Sequence, residues 1–136
     1  MLSLHDNLLV SYEVWCERRT IVLHTEYRDP ARPAEFTTVT FEEVQGYRFE
    51  NDAFGNIILD IDAVPVERLL TEVGAEISDS YRAAGSPGPW AADLASAPEY
   101  LRKQGVKGFI LSSSYGLSGW VLAKEMAILE KPPSET

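Results

Sequence analysis

Alternating hydrophobic and polar residues over 35–62 predict a β-hairpin around which the rest of the chain is organised. Two alternating runs in this stretch flank a segment rich in Asn, Asp and Gly, 51–55, which is typical of a hairpin loop. With that loop, Phe49 faces Ile57 across the hairpin. A change of phase at Gly46 indicates a β-bulge in the first strand. The side chains expected in the core are Tyr47, Phe49, Ile57, Leu59 and Ile61.

The same alternation over 8–27 predicts a second hairpin. In the register that aligns its apolar faces, Cys16 lies opposite Ile21 on the inner face, and His24 lies beside Glu13 on the outer face. A thiol nucleophile needs a base within hydrogen-bond distance. Because Cys16 and His24 point to opposite faces, we expect Cys16 to be a small core residue and not half of a catalytic dyad.

The second half of the chain predicts two helices and a last pair of strands. Apolar residues at spacings of three and four predict an amphipathic helix over about 65–82. A Ser-x-x-Glu capping pattern predicts a short helix over about 97–104. A strand over 106–114 then leads into 120–129, which alternates like a strand but also contains good helix formers. We favour a strand there, because the Gly-containing loop before it is typical of a hairpin.

Together these elements predict a single α+β domain over 1–136. Its sheet is mostly antiparallel, has about five to six strands built from hairpins, and has the two helices packed on it. Three successive apolar residues at 57–59 predict a central strand that is covered on both faces. The polar segment 131–136 is expected to be a frayed tail. The pattern leaves open which face of the sheet the helices cover.

Charge and composition narrow the function classes. The chain has 21 acidic and 12 basic residues, a net charge of −9. Since binding to nucleic acid depends on Lys and Arg that neutralise phosphates, this charge argues against a nucleic-acid partner and favours a basic protein. A single cysteine fits a reducing compartment, and the first residues show neither a signal-peptide pattern nor an apolar membrane span. We therefore expect a cytoplasmic protein that has no membrane partner.

The loop 112–119 is the stretch that most suggests a ligand. Clustered Gly and Ser residues expose backbone N–H groups that could hold an anion, although the sequence matches neither the phosphate-binding loop nor the nucleophile elbow. A plain hairpin loop is the alternative explanation. The residues of this alternative ligand loop are Ser112, Ser114, Tyr115, Ser118 and Trp120.

Carboxylates and histidines do not predict a catalytic or metal site. General acid–base catalysis needs two carboxylates in different environments, and the acidic residues of 42–62 are all expected to be solvated. His5 and His24 have no cysteine or second histidine at the spacing of zinc ligands. We therefore expect no catalytic residue, no metal and no cofactor.

Outward-facing residues predict a protein-binding patch, because an exposed aromatic side chain rimmed by carboxylates is typical of such surfaces. The candidate binding residues are Trp15, His24, Arg48, Glu50, Ile58, Asp60 and Asp62. In the alternative interpretation the helices cover this face and its apolar residues are core. Formation of a homodimer through a sheet edge or the Trp15 face also stays open.

The protein is small and acidic, and its sequence contains the segments VTFEEVQGYRFENDAFGNIILDID and SSYGLSGW. In these features the chain resembles small uncharacterised bacterial cytosolic proteins, including immunity-type proteins that neutralise toxins in polymorphic toxin systems. In such families an acidic surface covers the basic active site of a toxin, often a nuclease. The resemblance implies a non-enzymatic protein-binding module that inhibits a basic protein. The alternative is a small-ligand-binding or enzymatic domain that uses the loop 112–119.

Overall fold

The computed structural model describes Leu4 and residues 6–131, except for the side chain of Lys131. His5 and the predicted tail beyond residue 131 lie outside the described residues. Six strands and two α-helices are present in that part of the chain. The strands are β1 (Asn7–Trp15), β2 (Thr20–Tyr27), β3 (Glu35–Glu50), β4 (Ile57–Val64), β5 (Lys107–Tyr115) and β6 (Ser118–Lys131). The helices are α1 (Val66–Ala84) and α2 (Ala97–Lys103), with a 3-10 turn at Pro89–Ala92.

All neighbouring strands are antiparallel, and the sheet closes into a barrel in the order β1-β2-β3-β6-β5-β4. The predicted α+β class, the two helices and the antiparallel pairing are confirmed, and the sheet in addition closes into a barrel, which the sequence pattern did not predict. β3 is 16 residues long and bends at a register shift between Val44 and Gly46, the bulge that the sequence predicted. Bulges increase local twist and strand bending. The curled sheet then brings β1 beside β4, where Leu8 pairs with Ile57.

The predicted hairpin over 35–62 is wrong in its pairing. β3 and β4 are consecutive strands, but β3 pairs with β2 and β6, whereas β4 pairs with β1 and β5. Phe49 therefore faces Gly119 and not Ile57. The segment rich in Asn, Asp and Gly does turn the chain, as its composition predicts. It leads to the opposite side of the barrel, because composition specifies a turn and not the neighbour of the next strand.

The interior of the barrel is filled by apolar side chains from all six strands. It includes Leu9, Ile21, Leu23, Val39, Phe41, Ile58, Phe109, Leu111 and Val121. The core predicted from the first hairpin is correct only in part, since Phe49 and Ile61 pack against this interior while Tyr47 and Leu59 are 41% and 40% exposed. In β4 the register shifts on both sides of Ile58 and turns that side chain inward. β4 is therefore paired on both edges, but its outer face is covered only at its end, where Val64 is buried, whereas Leu59, Asp60 and Asp62 are exposed.

The hairpin of β1 and β2 forms as predicted, but in a different register. Val14 faces Ile21, the position predicted for Cys16. A register shift between Leu9 and Ser11 reverses the phase at the start of β1, so Leu9 is buried there. The prediction of Cys16 as a core residue is wrong, because β1 ends at Trp15 and Cys16 lies exposed in the turn that follows.

Both helices pack on the outside of the barrel and form a second core there. α1 buries its predicted apolar stripe, and the run 120–129 is part of a strand, as favoured. The buried members of this second core are Val64, Val66, Leu69, Leu70, Ile77, Ala91, Ala97, Leu101, Val106, Trp120 and Leu122. Within the described residues, neither helix combines the length and the apolar character needed to cross a membrane. The helices cover the end of β4, β5 and the first part of β6, which leaves β1, β2, most of β3 and the end of β6 without a helix.

Candidate functional site

The helix-free wall consists of the outward-facing residues of β1, β2, β3 and the last part of β6. One row across these strands is Glu13, Val22, Thr40 and Ala127, and the next is Ser11, His24, Thr38 and Leu129. Four large apolar side chains remain exposed on or beside these rows, Val10, Trp15, Phe36 and Leu129. Exposed apolar groups set among polar ones are the composition expected of a protein-binding surface.

Two of the predicted binding residues meet on this wall around one carboxylate. Trp15 donates its indole N–H to Glu13 Oε2 at 2.8 Å, and His24 Nε2 lies 2.9 Å from Glu13 Oε1. The guanidinium of Arg18 lies 5.1 Å from the centre of the Trp15 ring. These hydrogen bonds, first that of His24 and then that of Trp15, lower the pKa of Glu13. The cluster is exposed but already ordered, so a partner that binds it loses less side-chain entropy.

Two acidic residues, Glu42 and Glu125, lie side by side on the helix-free wall. These residues are directly opposed on β3 and β6, and both are exposed. Among the described side chains, no Lys, Arg or His lies within ion-pair distance of either carboxylate. Like charges placed directly opposite each other destabilise a pair of strands. A basic group from a partner would relieve this repulsion.

Other predicted binding residues lie elsewhere on the molecule. Arg48 forms ion pairs with Glu50 at 3.0 Å and with Glu76 of α1 at 3.5 Å, so this pair belongs to the junction between β3 and the helix. Ile58 is fully buried inside the barrel, and the prediction that it lies on the outer face is wrong. Its burial follows from the two register shifts in β4, which the alternation alone does not show.

Asp60 and Asp62 are exposed together on the outer face of β4. The hydrogen bond and the charge of Asp60 raise the pKa of Asp62, and the charge of Arg68 opposes that effect. This acidic pair lies close to the start of α1, whereas Glu13 lies on the helix-free wall. The predicted binding residues therefore divide among separate places, because closure of the barrel distributes one predicted face around a cylinder.

The side chain of Asn56 packs against the predicted ligand loop 112–119. Its side-chain Oδ1 accepts hydrogen bonds from the backbone N–H of Leu117 at 2.8 Å and of Ala53 at 2.9 Å. A Cβ at Gly116 would lie 2.0 Å from the same oxygen. Leu117 is buried, and its carbonyl oxygen accepts a hydrogen bond from Ser113. The Asn56 side chain thus occupies the position next to the loop that an anion would take.

The remaining residues of that loop do not converge on one point. Ser114 and Tyr115 are exposed, Ser112 and Ser118 are half-buried, and Trp120 belongs to the second core under the helices. The indole N–H of Trp120 donates to Glu76 of α1. The loop therefore has the structure of a tight hairpin connection between β5 and β6.

The sequence reasoning missed the Glu42–Glu125 pair and the exposed Leu129 as parts of one surface. Alternation shows that each residue faces outward, but it does not show that the end of β6 lies beside β3. Within the part of the chain that the structure describes, no three His, Cys, Asp or Glu side chains are grouped so that they could hold a metal ion.

Comparison with known proteins identifies no relative of this chain. No protein-family model, curated protein or solved structure matches it. The function is therefore inferred from the geometry and charge of the chain itself.

Proposed function

We propose that this protein is a non-enzymatic protein-binding module that holds a basic partner protein on its helix-free wall. In this role it is an acidic, immunity-like inhibitor that acts in the cytosol. The single observation that supports the proposal most strongly is the directly opposed Glu42–Glu125 pair, which has exposed apolar side chains on the same wall.

Charge complementarity is the physical basis of this proposal. A chain with a net charge of −9 attracts a basic protein over several ångströms and repels acidic ones. At contact, a Lys or Arg of the partner placed between Glu42 and Glu125 would replace a repulsion with two attractions. Self-association through this wall is disfavoured by the same reasoning, since it would bring two acidic pairs together.

The proposed wall is tested by affinity capture from the native cytosol, followed by binding measurements with the purified partner. The test variant is Glu42→Gln combined with Glu125→Gln. The control is Glu72→Gln combined with Asp79→Asn, which removes the same charge from the exposed side of α1. We expect the test variant to weaken binding about tenfold at low salt and to reduce its dependence on salt. The control variant should bind like the unmodified protein.

Equal losses in both variants would mean that net charge alone drives the interaction, and the wall would be the wrong site. Recovery of no basic protein at low salt would contradict the proposal as a whole. A small-ligand or enzymatic role of the loop 112–119 is not proposed, because Asn56 occupies the space beneath that loop.

A further inference from the structure

A large concave feature of the described part of the chain, separate from the acidic pair of the helix-free wall, is the Pro87 groove. It consists of three adjoining cavities of about 710, 300 and 250 Å³, all of which Pro87 lines. The first two also share Arg19 and Gln45, and the last two share Tyr47 and Ser86. One side of the groove is the β1–β2 turn with the bulge of β3, and the other side is the segment from Ser86 to α2. We propose that this groove binds an extended, proline-rich peptide segment in the polyproline II conformation.

Close packing between the two sides defines the floor of the groove. A Cβ placed on Gly46 would lie 2.8 Å from Pro87 Cβ, so the proline ring sits directly on the backbone of the β3 bulge. On the other side of Pro87, the backbone at Gly88 lies against the indole of Trp90, with 3.4 Å between a Cβ built at Gly88 and Trp90 Nε1. A groove with such a packed floor is formed before a ligand arrives, which lowers the entropic cost of binding.

Aromatic side chains follow the groove from one cavity to the next. Trp90 and Tyr100 line the largest cavity, and Trp15 and Tyr47 line the second. Tyr47 and Tyr100 are both exposed although they lie beside a concave surface. Aromatic-lined grooves are the sites on which proline-rich segments dock, because the proline rings of a polyproline II helix pack between aromatic rings.

The polar groups of the groove are mainly unused donors. Among the described side chains, none accepts a hydrogen bond from the indole N–H of Trp90, and that N–H stays accessible. Arg19 donates one N–H to the carbonyl oxygen of Val44 at 3.2 Å, and its other N–H groups remain available. The indole and the guanidinium therefore both offer N–H groups to a ligand.

The two carboxylates that line the largest cavity already have partners on the protein. Asp93 accepts hydrogen bonds from the backbone N–H of Ala95 at 3.0 Å and from the hydroxyl of Ser96 at 3.1 Å. Glu99 forms an ion pair with Lys103 at 3.2 Å. A polyproline II segment presents free carbonyl oxygens and, at proline, no N–H. A sugar presents hydroxyl donors as well as acceptors. The free N–H groups of Trp90 and Arg19 therefore match the carbonyl oxygens of a proline-rich peptide, and an oligosaccharide is the competing ligand in the test.

The test is a titration of the isotope-labelled full chain with decaproline, followed by NMR of the indole N–H groups. The Trp90 signal is assigned with Trp90→Phe, which keeps an aromatic ring and removes the donor. We expect a saturable shift of the Trp90 signal with decaproline and none with a glycine–serine decapeptide. Trp90→Phe should weaken binding about fivefold, the loss expected for one hydrogen bond. Tyr100→Ala should weaken it by a similar factor.

Tyr115→Ala is the matched control, because Tyr115 is also an exposed tyrosine but lies at the β5–β6 turn away from the groove. Its affinity for decaproline should equal that of the unmodified protein. Absence of any Trp90 shift at saturating decaproline would overturn the inference. So would a Trp90 shift with a glucose hexasaccharide but not with decaproline, or equal weakening by Tyr115→Ala and Tyr100→Ala. Trp15 borders both the groove and the helix-free wall, but the outcomes are measured at Trp90, Tyr100 and Tyr115, which do not lie on the wall, and Glu42 and Glu125 do not line the groove.

Discussion

Strand β6 passes from the helix-covered side of the barrel to the helix-free wall, and its outward residues differ completely between the two regions. Leu122 faces outward beneath the helices and is 0% exposed, whereas Leu129 faces outward on the wall and is 61% exposed. Both are leucines on one strand, and both point away from the barrel interior. The difference shows that packing of a helix, and not the direction of the side chain, decides burial on the outside of this barrel.

The two regions also use apolar side chains for different purposes. On the covered side, outward residues of β4, β5 and β6 join α1 and α2 in the second core. Burial of a leucine there stabilises the fold by about 1.5–3 kcal/mol. On the wall, apolar side chains such as Trp15 contribute little to folding and remain available for a partner. One side of the cylinder thus carries the second core, and the opposite side carries the proposed binding surface.

The largest expected effect comes from truncating the two leucines of β6. Leu122→Ala should lower the free energy of unfolding by about 2–5 kcal/mol, since it leaves a cavity in the second core. Leu129→Ala, at an exposed position on the same strand, should change it by at most about 0.5 kcal/mol. Urea unfolding followed by circular dichroism measures both values. Similar losses in the two variants would show that the wall is also packed against something in solution.

A smaller effect is expected at the boundary between the regions, where Pro87 packs on Gly46. Gly46→Ala would place a methyl group 2.8 Å from Pro87 Cβ and force the loop to move, at a cost of about 1–3 kcal/mol. In a Pro87→Ala background the same substitution should cost clearly less, because the clashing ring is gone. Thermal unfolding of the four proteins in this double-mutant cycle gives the coupling. Additive effects would mean that Pro87 does not rest on the bulge.

The smallest effects concern two carboxyl groups with opposite pKa shifts. On the wall, Glu13 has a lowered pKa because His24 and Trp15 donate hydrogen bonds to its carboxylate. The contribution of Glu13 to stability is therefore present above about pH 4.3 and is lost as pH falls through the lowered pKa. Beside α1, Asp62 has a raised pKa because of Asp60, so its contribution is present below about pH 3.9 and is lost as pH rises through the raised pKa.

NMR titration of the carboxyl carbons checks both directions. Asp60→Asn should bring the pKa of Asp62 down toward its usual range, and His24→Gln should bring the pKa of Glu13 up. Asp60→Asn should leave the pKa of Glu13 unchanged, and His24→Gln should leave the pKa of Asp62 unchanged, because the two carboxyl groups lie on different strands. A pKa of Asp62 that does not respond to Asp60→Asn would contradict the proposed cause.

Local pattern predicted several features of this structure correctly. The helix α1 follows from its apolar stripe, the bulge at Gly46 follows from the change of phase, and His24 lies beside Glu13 as predicted. Each of these depends on neighbours in sequence or on one short hairpin. Regularity over a few residues is enough to specify them.

Errors arose where distant segments meet. Phe49 was predicted to face Ile57, but the strands that contain them lie on opposite sides of a closed barrel. Ile58 was assigned to the wrong face, because register shifts in β4 reverse the alternation, and Cys16 was assigned to a strand that ends one residue before it, at Trp15. A bulge of one residue leaves almost no mark on composition, although it inverts every later side chain of the strand.

The sequence by itself determined the class of this protein, its antiparallel strands, its two helices and its acidic charge. Only the tertiary structure decided that the sheet closes, that Glu42 meets Glu125 on a wall without helices, and that Pro87 rests on Gly46 to form a groove. The physical reason is that strand pairing and helix docking are long-range choices among several compatible partners. Closure of the barrel selects one combination, because each strand must pair with two others, including β1 with β4 at Asn7–Ile58 and Leu8–Ile57.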